Sequence, residues 1–518
     1  MDSPHEPGES LLSRRCVDQF FALRSVPISR HAREGRDLVA ITALMARAAG
    51  ALVASFVLSV GAIAAESGVE FPNSSGCDQR RAAAASVDSA SLRLPELTYE
   101  CMRLGRDQHV LIGRGGLRKG ESVLLVHGLG NNAHLDWRNT VPALAARFRV
   151  LTLDLPGFGA SEPLQGGYSF EHLAALLAEL LDRESIYRVH VVGHSLGGAL
   201  SLYFAHAYPQ RTQRLVLVDA AGMLLKSVYV HHVSRISTPE LGFTPVDRVL
   251  RMFDNRVNGL NRHITYRLES RFDFSAWLAD HPAARNALLG GFTQTDAALG
   301  LIEHDFTRAI RETRAPTTVI WGRNDDVSPV RVGQLLTGRL PDARLHILER
   351  TGHVPMTQAR EEFNGLLLTA LADTLQLPQR MMTSGAPIDV RCHEEAERRY
   401  SGALRNVVLE NCRDIRIENA RIEKLTLINS SVFLDNVSII GGDAVLEAKN
   451  SFVTGTVVSV IAQGIAVSVD DSQLDLAGTS IRAGARGVRM VTPGRIYFSV
   501  SDIQAADFSG DVHKIWSE

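Results

Sequence analysis

The sequence predicts an α/β unit with a mostly parallel sheet, followed by an all-β region, and three observations lead there. Between residues 122 and 219, short apolar runs rich in β-branched residues alternate with segments of helical apolar spacing. That rhythm belongs to a parallel sheet covered by helices on both faces. One strand-to-helix join carries Gly193-His194-Ser195-Leu196-Gly197, in which glycines flank a serine at a sharp turn. Beyond residue 388 the pattern changes to period-two strands ending in Asn, Asp or Gly.

A chain of 518 residues is longer than one core requires, so more than one folded unit is expected. With 45% hydrophobic and 22% charged residues it has the composition of globular protein. A formal charge of −2 and no basic run with interleaved aromatics argue against nucleic acid as a partner. Met45 opens a stretch with one arginine, an apolar run and small residues at Ala62, Ala64 and Ala65. This is the form of a secretory signal over 45–65, with translation expected to start at Met45 and residues 1–44 outside the mature protein. An uncleaved anchor over 48–65 is the alternative, barely reaching the roughly 20 residues a span needs. Export suits the cysteines: apart from Cys16, they are Cys77, Cys101, Cys392 and Cys412, with no Cys-x-x-Cys. The local pairings 77 with 101 and 392 with 412 are the simplest of three connectivities, against four idle thiols.

Residues 66–93, rich in Ser, Ala and Gly, read as a surface linker. Two short strands follow at 97–106 and 108–113, then the continuous apolar strand Ser122 to His127. The loop His127-Gly128-Leu129-Gly130 leaves this strand at the carboxyl edge of the sheet, where such sheets bind ligands. An amphipathic stretch at 141–146, a strand at 149–154 and the turn Leu155 to Ser161 come next. Gly157-Phe158-Gly159 lacks the third glycine and acidic partner of a dinucleotide site, so no cofactor is expected. A helix over 169–183 leads to the serine strand, and a strand at 215–219 follows the helix after it. From 222 to 310 the alternation stops, and a helical cap over the serine is expected. Strands resume at 316–322 and 344–348, closed by a helix over 363–377.

A serine hydroxyl is a weak nucleophile near neutral pH and needs a base held by a third group. His353, in Gly352-His353-Val354-Pro355, lies directly after the last strand, and Asp325 and Asp326 lie after the Trp321 strand. Asp219, after the earlier strand, is another candidate acid. At the helix start the Leu196 N–H points at a developing oxyanion, with the Leu129 N–H as the second donor. No His-Glu-x-x-His is present, and no metal is expected.

From about Leu97 to Leu377 the chain resembles the α/β-hydrolase superfamily, in its esterase and hydrolase branch with a helical cap. The residues that carry the likeness are His127-Gly128, Asp154 to Ser161, Gly193 to Gly198, Trp321-Gly322-Arg323-Asn324-Asp325 and Gly352-His353. The resemblance implies Ser195 as nucleophile, His353 as base and acid, and Leu129 and Leu196 as oxyanion donors. It favours Asp325 as orienter, leaving Asp326 and Asp219 as alternatives. A serine at the elbow speaks against relatives with a carboxylate nucleophile.

The C-terminal ladder includes Asn406 to Asn411, Ile415 to Asn419, Leu425 to Asn429, Val432 to Asn436 and Val437 to Gly442. Such repetition predicts a solenoid, preferably a right-handed parallel β-helix over 389–518 with asparagines stacked at its bends, or else a small β-sandwich. Residues 378–388 form the linker, and 94–377 the hydrolase-like unit. The expected function is an exported serine hydrolase of a small-molecule carboxylic ester. A C–C bond or amide hydrolase is the alternative, or an idle hydrolase-like binding protein. The β-helix would serve contact with glycan, envelope or another chain.

Overall fold

Apolar runs with no polar face build the centre of an eight-stranded sheet. A computed structural model describes residues 77, 94–105, 108–130, 133–164, 168–224, 293–372, 385–492, 494–507 and 512–514. They belong to one compact unit, Ala62–Glu518. The strands are β1 (Leu97–Leu104), β2 (Gln108–Gly116), β3 (Ser122–Val126), β4 (Arg149–Leu153), β5 (Val189–His194), β6 (Thr212–Val218), β7 (Thr317–Gly322) and β8 (Ala343–Leu348), in the order β1-β2-β4-β3-β5-β6-β7-β8. Only β1 with β2 and β2 with β4 pair antiparallel; the rest are parallel. Every residue of β3, β5 and β7 is buried, because helices cover both faces.

Those helices are α1 (Val141–Ala145), α2 (Phe170–Arg183), α3 (Leu196–Ala207), α4 (Thr293–Glu303), α5 (Thr307–Glu312), α6 (Arg331–Arg339), α7 (Pro355–Gln358) and α8 (Arg360–Leu371). Ser169 caps α2 by accepting the His172 N–H at 3.3 Å. One face of the sheet buries Leu173, Leu177 and Phe204 with Leu124 and Val191; the other buries Trp137, Phe363 and Leu367 with Val123 and Val192. Several bounds differ from the sequence reading, among them the start of β6 at Thr212 instead of 215. β2 runs on to Gly116 because residues 112–116 pair with 149–153 of β4. The closing helix begins at Arg360 instead of 363, since an amphipathic pattern marks a helix's apolar face better than its polar first turn. The expected signal segment and most of the expected cap lie outside the described residues. Among the described residues no helix is long and apolar enough to cross a membrane.

Beyond residue 385 the described residues are all β, and their strands pair in parallel with the strand one turn ahead. The longer ones are β10 (Arg399–Glu410), β11 (Ile415–Ile428), β12 (Ser431–Gly441), β14 (Phe452–Ala462) and β17 (Ser480–Met490), with β9 (Ile388–His393), β13 (Leu446–Lys449), β15 (Ile465–Asp470), β16 (Gln473–Ala477), β18 (Arg495–Ser499), β19 (Asp502–Asp507) and β20 (Val512–Lys514) completing the coils. The coils stack alternate apolar residues such as Ile417, Leu434, Val453 and Leu474 into one core, a β-helix-like arrangement. At one corner Asn411, Asn429 and Asn450 all have positive φ, and their amides form a ladder: Asn429 Nδ2 donates to Asn411 Oδ1 at 3.1 Å, and Asn450 Nδ2 to Asn429 Oδ1 at 2.8 Å. Beside it the Ser430 N–H donates to Ser451 Oγ and the Ser451 N–H to Ser472 Oγ, each spanning 21 residues. Asn419 and Asn436, read from sequence as strand ends, are instead single left-handed residues inside the longer strands β11 and β12. Disulfides join Cys77 to Cys101 and Cys392 to Cys412.

The two regions share a core. Ala477, Tyr497 and Val500 of the all-β region lie in the same buried apolar cluster as Leu335, Leu336 and Leu340 of and after α6. Arg331 on α6 pairs with Asp475 at 2.5 Å and donates to the Gly455 carbonyl at 3.1 Å, while Gln334 donates to Asp435 at 2.6 Å. The left-handed corner occupied by Asn419 and Asn436 becomes Val457, Gly478 and Val500 where it meets this helix. Val457 lies against Gly338, where any Cβ on the glycine would collide with it. A β-branched residue at positive φ is strained, and contact with α6 gives it a packing role an asparagine would not fill.

Candidate active site

The end of β5 turns into α3 through Ser195, whose φ of 52° and ψ of −116° no ordinary strand or helix residue adopts. Neighbouring chain makes this turn possible only with glycine at 193 and 197. A Cβ on Gly193 would strike the Gly197 carbonyl and Ser201, and one on Gly197 the carbonyls of Val126 and His127. The turn lifts the Ser195 hydroxyl to the carboxyl edge of the sheet and places Leu196 first in α3.

Three candidate residues far apart in the chain come together there. Ser195 Oγ lies 3.0 Å from His353 Nε2, and His353 Nδ1 lies 2.7 Å from Asp325 Oδ2. With Nδ1–H donated to the carboxylate, Nε2 is left as the acceptor for the serine proton. Asp325 Oδ1 accepts the N–H groups of Val327 and Ser328, each at 2.8 Å. Burial alone would raise the Asp325 pKa, but the bond and charge of His353 and the amides of Ser328 and Val327 hold it below the usual carboxylate range. Burial also pushes His353 below its ordinary value, against the upward pull of Asp325. A neutral base and an ionised orienter result near neutral pH.

The other two candidate acids are elsewhere. Asp219 Oδ1 accepts the Gly322 N–H at 2.8 Å, and its Oδ2 has no hydrogen-bond partner among the described residues. Burial, reinforced by the nearby charge of Asp325, raises its pKa well above the usual range, opposite in direction to the shift at Asp325. Asp326, adjacent to Asp325, is exposed and makes no bond to His353 in the described geometry. Leu196 is fully buried at the start of α3, and Leu129 lies half-buried beside Gly128, whose missing side chain leaves room for Ser195 and His194.

Several buried polar residues surround this edge, and of these sequence reasoning passed over Asp136. His127 donates from Nδ1 to its neighbour's carbonyl, Gly128 O, at 2.7 Å and accepts the Leu155 N–H at Nε2 at 2.8 Å, which fixes its neutral tautomer. Asp154 accepts from the His134 ring at 2.6 Å and from Ala160 N–H at 2.9 Å, tying the Pro156 to Ser161 turn to the 3-10 turn Ala133–Trp137. Asp136, in that same turn, is buried next to His194. The one hint in the sequence is a carboxylate directly before a tryptophan in an apolar setting; periodicity cannot say that it points inward.

The profile of the alpha/beta hydrolase family matches residues 123–366, ending before the all-β region. A 2-hydroxy-6-oxononadienedioate/2-hydroxy-6-oxononatrienedioate hydrolase of Cupriavidus pinatubonensis is 32% identical over 260 residues, 49% of this chain and 87% of its own. The protein of the same name from Paraburkholderia xenovorans is 34% identical over 259 residues, with the same coverage. A 2-hydroxy-6-oxo-2,4-heptadienoate hydrolase of Pseudomonas putida is 31% identical over 264 residues, 49% of this chain and 90% of its own. These names overturn the expectation of carboxylic-ester cleavage, because the compounds in them carry hydroxyl, ketone, alkene and carboxylate groups and no ester.

Proposed function

The chain belongs to the alpha/beta hydrolase family, and from that premise we propose that it hydrolyses the carbon–carbon bond beside the ketone of a 2-hydroxy-6-oxodienoate. Such a substrate has no ester or amide, so a hydrolytic cleavage by a serine nucleophile falls on a bond at the ketone carbon. The observation that carries this reading is the hydrogen-bonded series Asp325, His353, Ser195 in a chain whose relatives are named for these compounds.

The reaction begins as the substrate enol gives up its proton and C5 gains one, producing a ketone at C2. Ser195 Oγ then attacks C6 while His353 Nε2 takes its proton and Asp325 steadies the imidazolium. The N–H groups of Leu129 and Leu196 receive the alkoxide. When the C5–C6 bond breaks, its electron pair passes through the remaining double bond to the C2 oxygen, so no isolated carbanion forms. His353 returns a proton to the leaving dienolate, and water activated by the same ring frees the acyl group from Ser195. One water is consumed, and a 2-hydroxydienoate and a carboxylic acid are released.

Incubation of the whole protein with 2-hydroxy-6-oxodienoates, alongside simple esters and amides, tests this directly. Loss of the conjugated substrate's absorbance, with none for Ser195→Ala, is expected; a protein whose serine takes a fluorophosphonate but which turns over no dienoate refutes the substrate assignment. We also propose export through residues 45–65, a reading that the two disulfides support.

A further inference from the structure

Behind the triad lies a buried carboxylate for which the reaction above has no use. Asp136 is 9% exposed, and its Oδ2 accepts the Gly128 N–H at 3.4 Å and lies 3.8 Å from His194 Nδ1, beyond hydrogen-bond distance but within ion-pair reach when that ring is protonated. The other ring nitrogen of His194, Nε2, donates to the His353 carbonyl oxygen at 2.7 Å. The two imidazoles stand 4.9 Å apart, tilted by 50°. A Cβ at position 128 would come within 2.9 Å of His194 Nδ1, so the glycine in the loop after β3 is what lets the histidine occupy this place.

One carboxylate therefore reaches three loops: the one bearing Leu129 through Gly128 N–H, the serine elbow through His194, and the base loop after β8 through the His353 carbonyl. We propose that Asp136 and His194 are positioning residues, which hold the main chain of His353 and the Gly128 loop in register with Ser195. The inference rests on the triad reading given above. Strand ends are where a parallel sheet supports the chain least, and a shift of about 1 Å in a reacting group can cost about 10²-fold in rate. The hydrogen bond from His194 crosses 159 residues of sequence to fix the one main-chain position from which the His353 ring meets both Ser195 and Asp325.

Charge supplies a second readout. The charged or titratable groups facing His353 are Asp325, His194 and Asp136, and those facing Asp136 are His194 and His127. Burial would raise the Asp136 pKa, but His194 and His127 hold it below the usual range. Its negative charge favours the protonated form of His353, so neutralising it should lower the proton affinity of the base.

The test is the rate at which a fluorophosphonate labels Ser195 of the full chain, followed against pH, with a thermal melt of each variant. It needs no substrate and so stands apart from the choice of bond. His194→Ala should label about 10- to 100-fold more slowly, His194→Gln, whose amide can donate to the same carbonyl, should recover to within a few-fold, and Asp136→Asn should move the acid-side midpoint to lower pH. Labelling of His194→Ala at the wild-type rate, a His194→Gln as slow as the alanine variant with an unchanged melt, or a midpoint that stays or rises in Asp136→Asn overturns the inference. Should the alanine variant not fold, the Asp136→Asn midpoint decides it. A wild-type protein that takes no label removes the triad reading and this inference together, whereas a labelled wild type with unaffected variants removes this inference alone.

Discussion

The hydrolase sheet and the β-helix-like region both place non-glycine residues at positive φ, but for different ends. In the sheet these positions include the strand ends: Ser195 after β5 at 52° and Asp219 after β6 at 42°. Each is held there by surrounding chain and each lies at the edge where the triad assembles. In the β-helix-like region they recur from coil to coil, and at Asn411, Asn429 and Asn450 the residue type best suited to that conformation fills them. Strain at these two strand ends thus accompanies the candidate site, and repeated strain, relieved by amide ladders, accompanies a scaffold. Val457 and Val500 stand in place of asparagine at the corner where the two regions meet.

The sharpest way to break that contrast is at the two aspartates behind the sheet. Asp325→Asn should reduce turnover by about 10⁴-fold, the scale of losing a triad orienter, whereas Asp219→Asn, at a carboxyl bonded to Gly322 instead of His353, should cost only a few-fold. Comparable losses in steady-state kinetics would mean that Asp219 shares the orienting role. In the scaffold the largest effect should come from Cys392→Ser with Cys412→Ser. Opening a loop of sequence separation 20 should cost about 3 kcal/mol, read as a lower denaturation midpoint with the hydrolase rate unchanged. At the junction, Arg331→Met leaves Asp475 half-enclosed and unpaired. A loss of about 2 kcal/mol is expected, between exposed and fully buried pairs, and a melt that stays at the wild-type position would show the two regions to be independent. Asn429→Ala removes both ladder bonds and strains the corner, for about 1 to 2 kcal/mol; Asn429→Gly should recover the backbone part alone. The smallest effect is in pH. Because burial depresses the His353 pKa, its neutral form persists to lower pH, and the acid limb of kcat/KM should have its midpoint below the ordinary histidine value of about 6.5. A midpoint above that value would mean that the charge of Asp325 outweighs burial.

Much of this was legible in the chain. Strand positions followed from β-branched apolar runs, the elbow from paired glycines around Ser195, and the order Ser195, Asp325, His353 from loops that follow strands. Asn411 and Asn429 advertised the ladder by recurring at strand ends. Asn419 and Asn436 misled, because a left-handed residue inside a strand and one that ends it look alike in sequence. Asp136 and His194 were opaque for another reason: a polar residue in an apolar context reads as packing until its partner, far along the chain, is seen.

The sequence by itself determined the sheet, the elbow and the short set of groups able to act there, since these depend on local propensity and periodicity. Only the tertiary structure decided which carboxylate faces His353, that burial raises the pKa of Asp219, and that the β-helix-like region shares a core with α6. Those outcomes depend on distance and burial among residues from separate loops, and an unaligned sequence contains neither quantity.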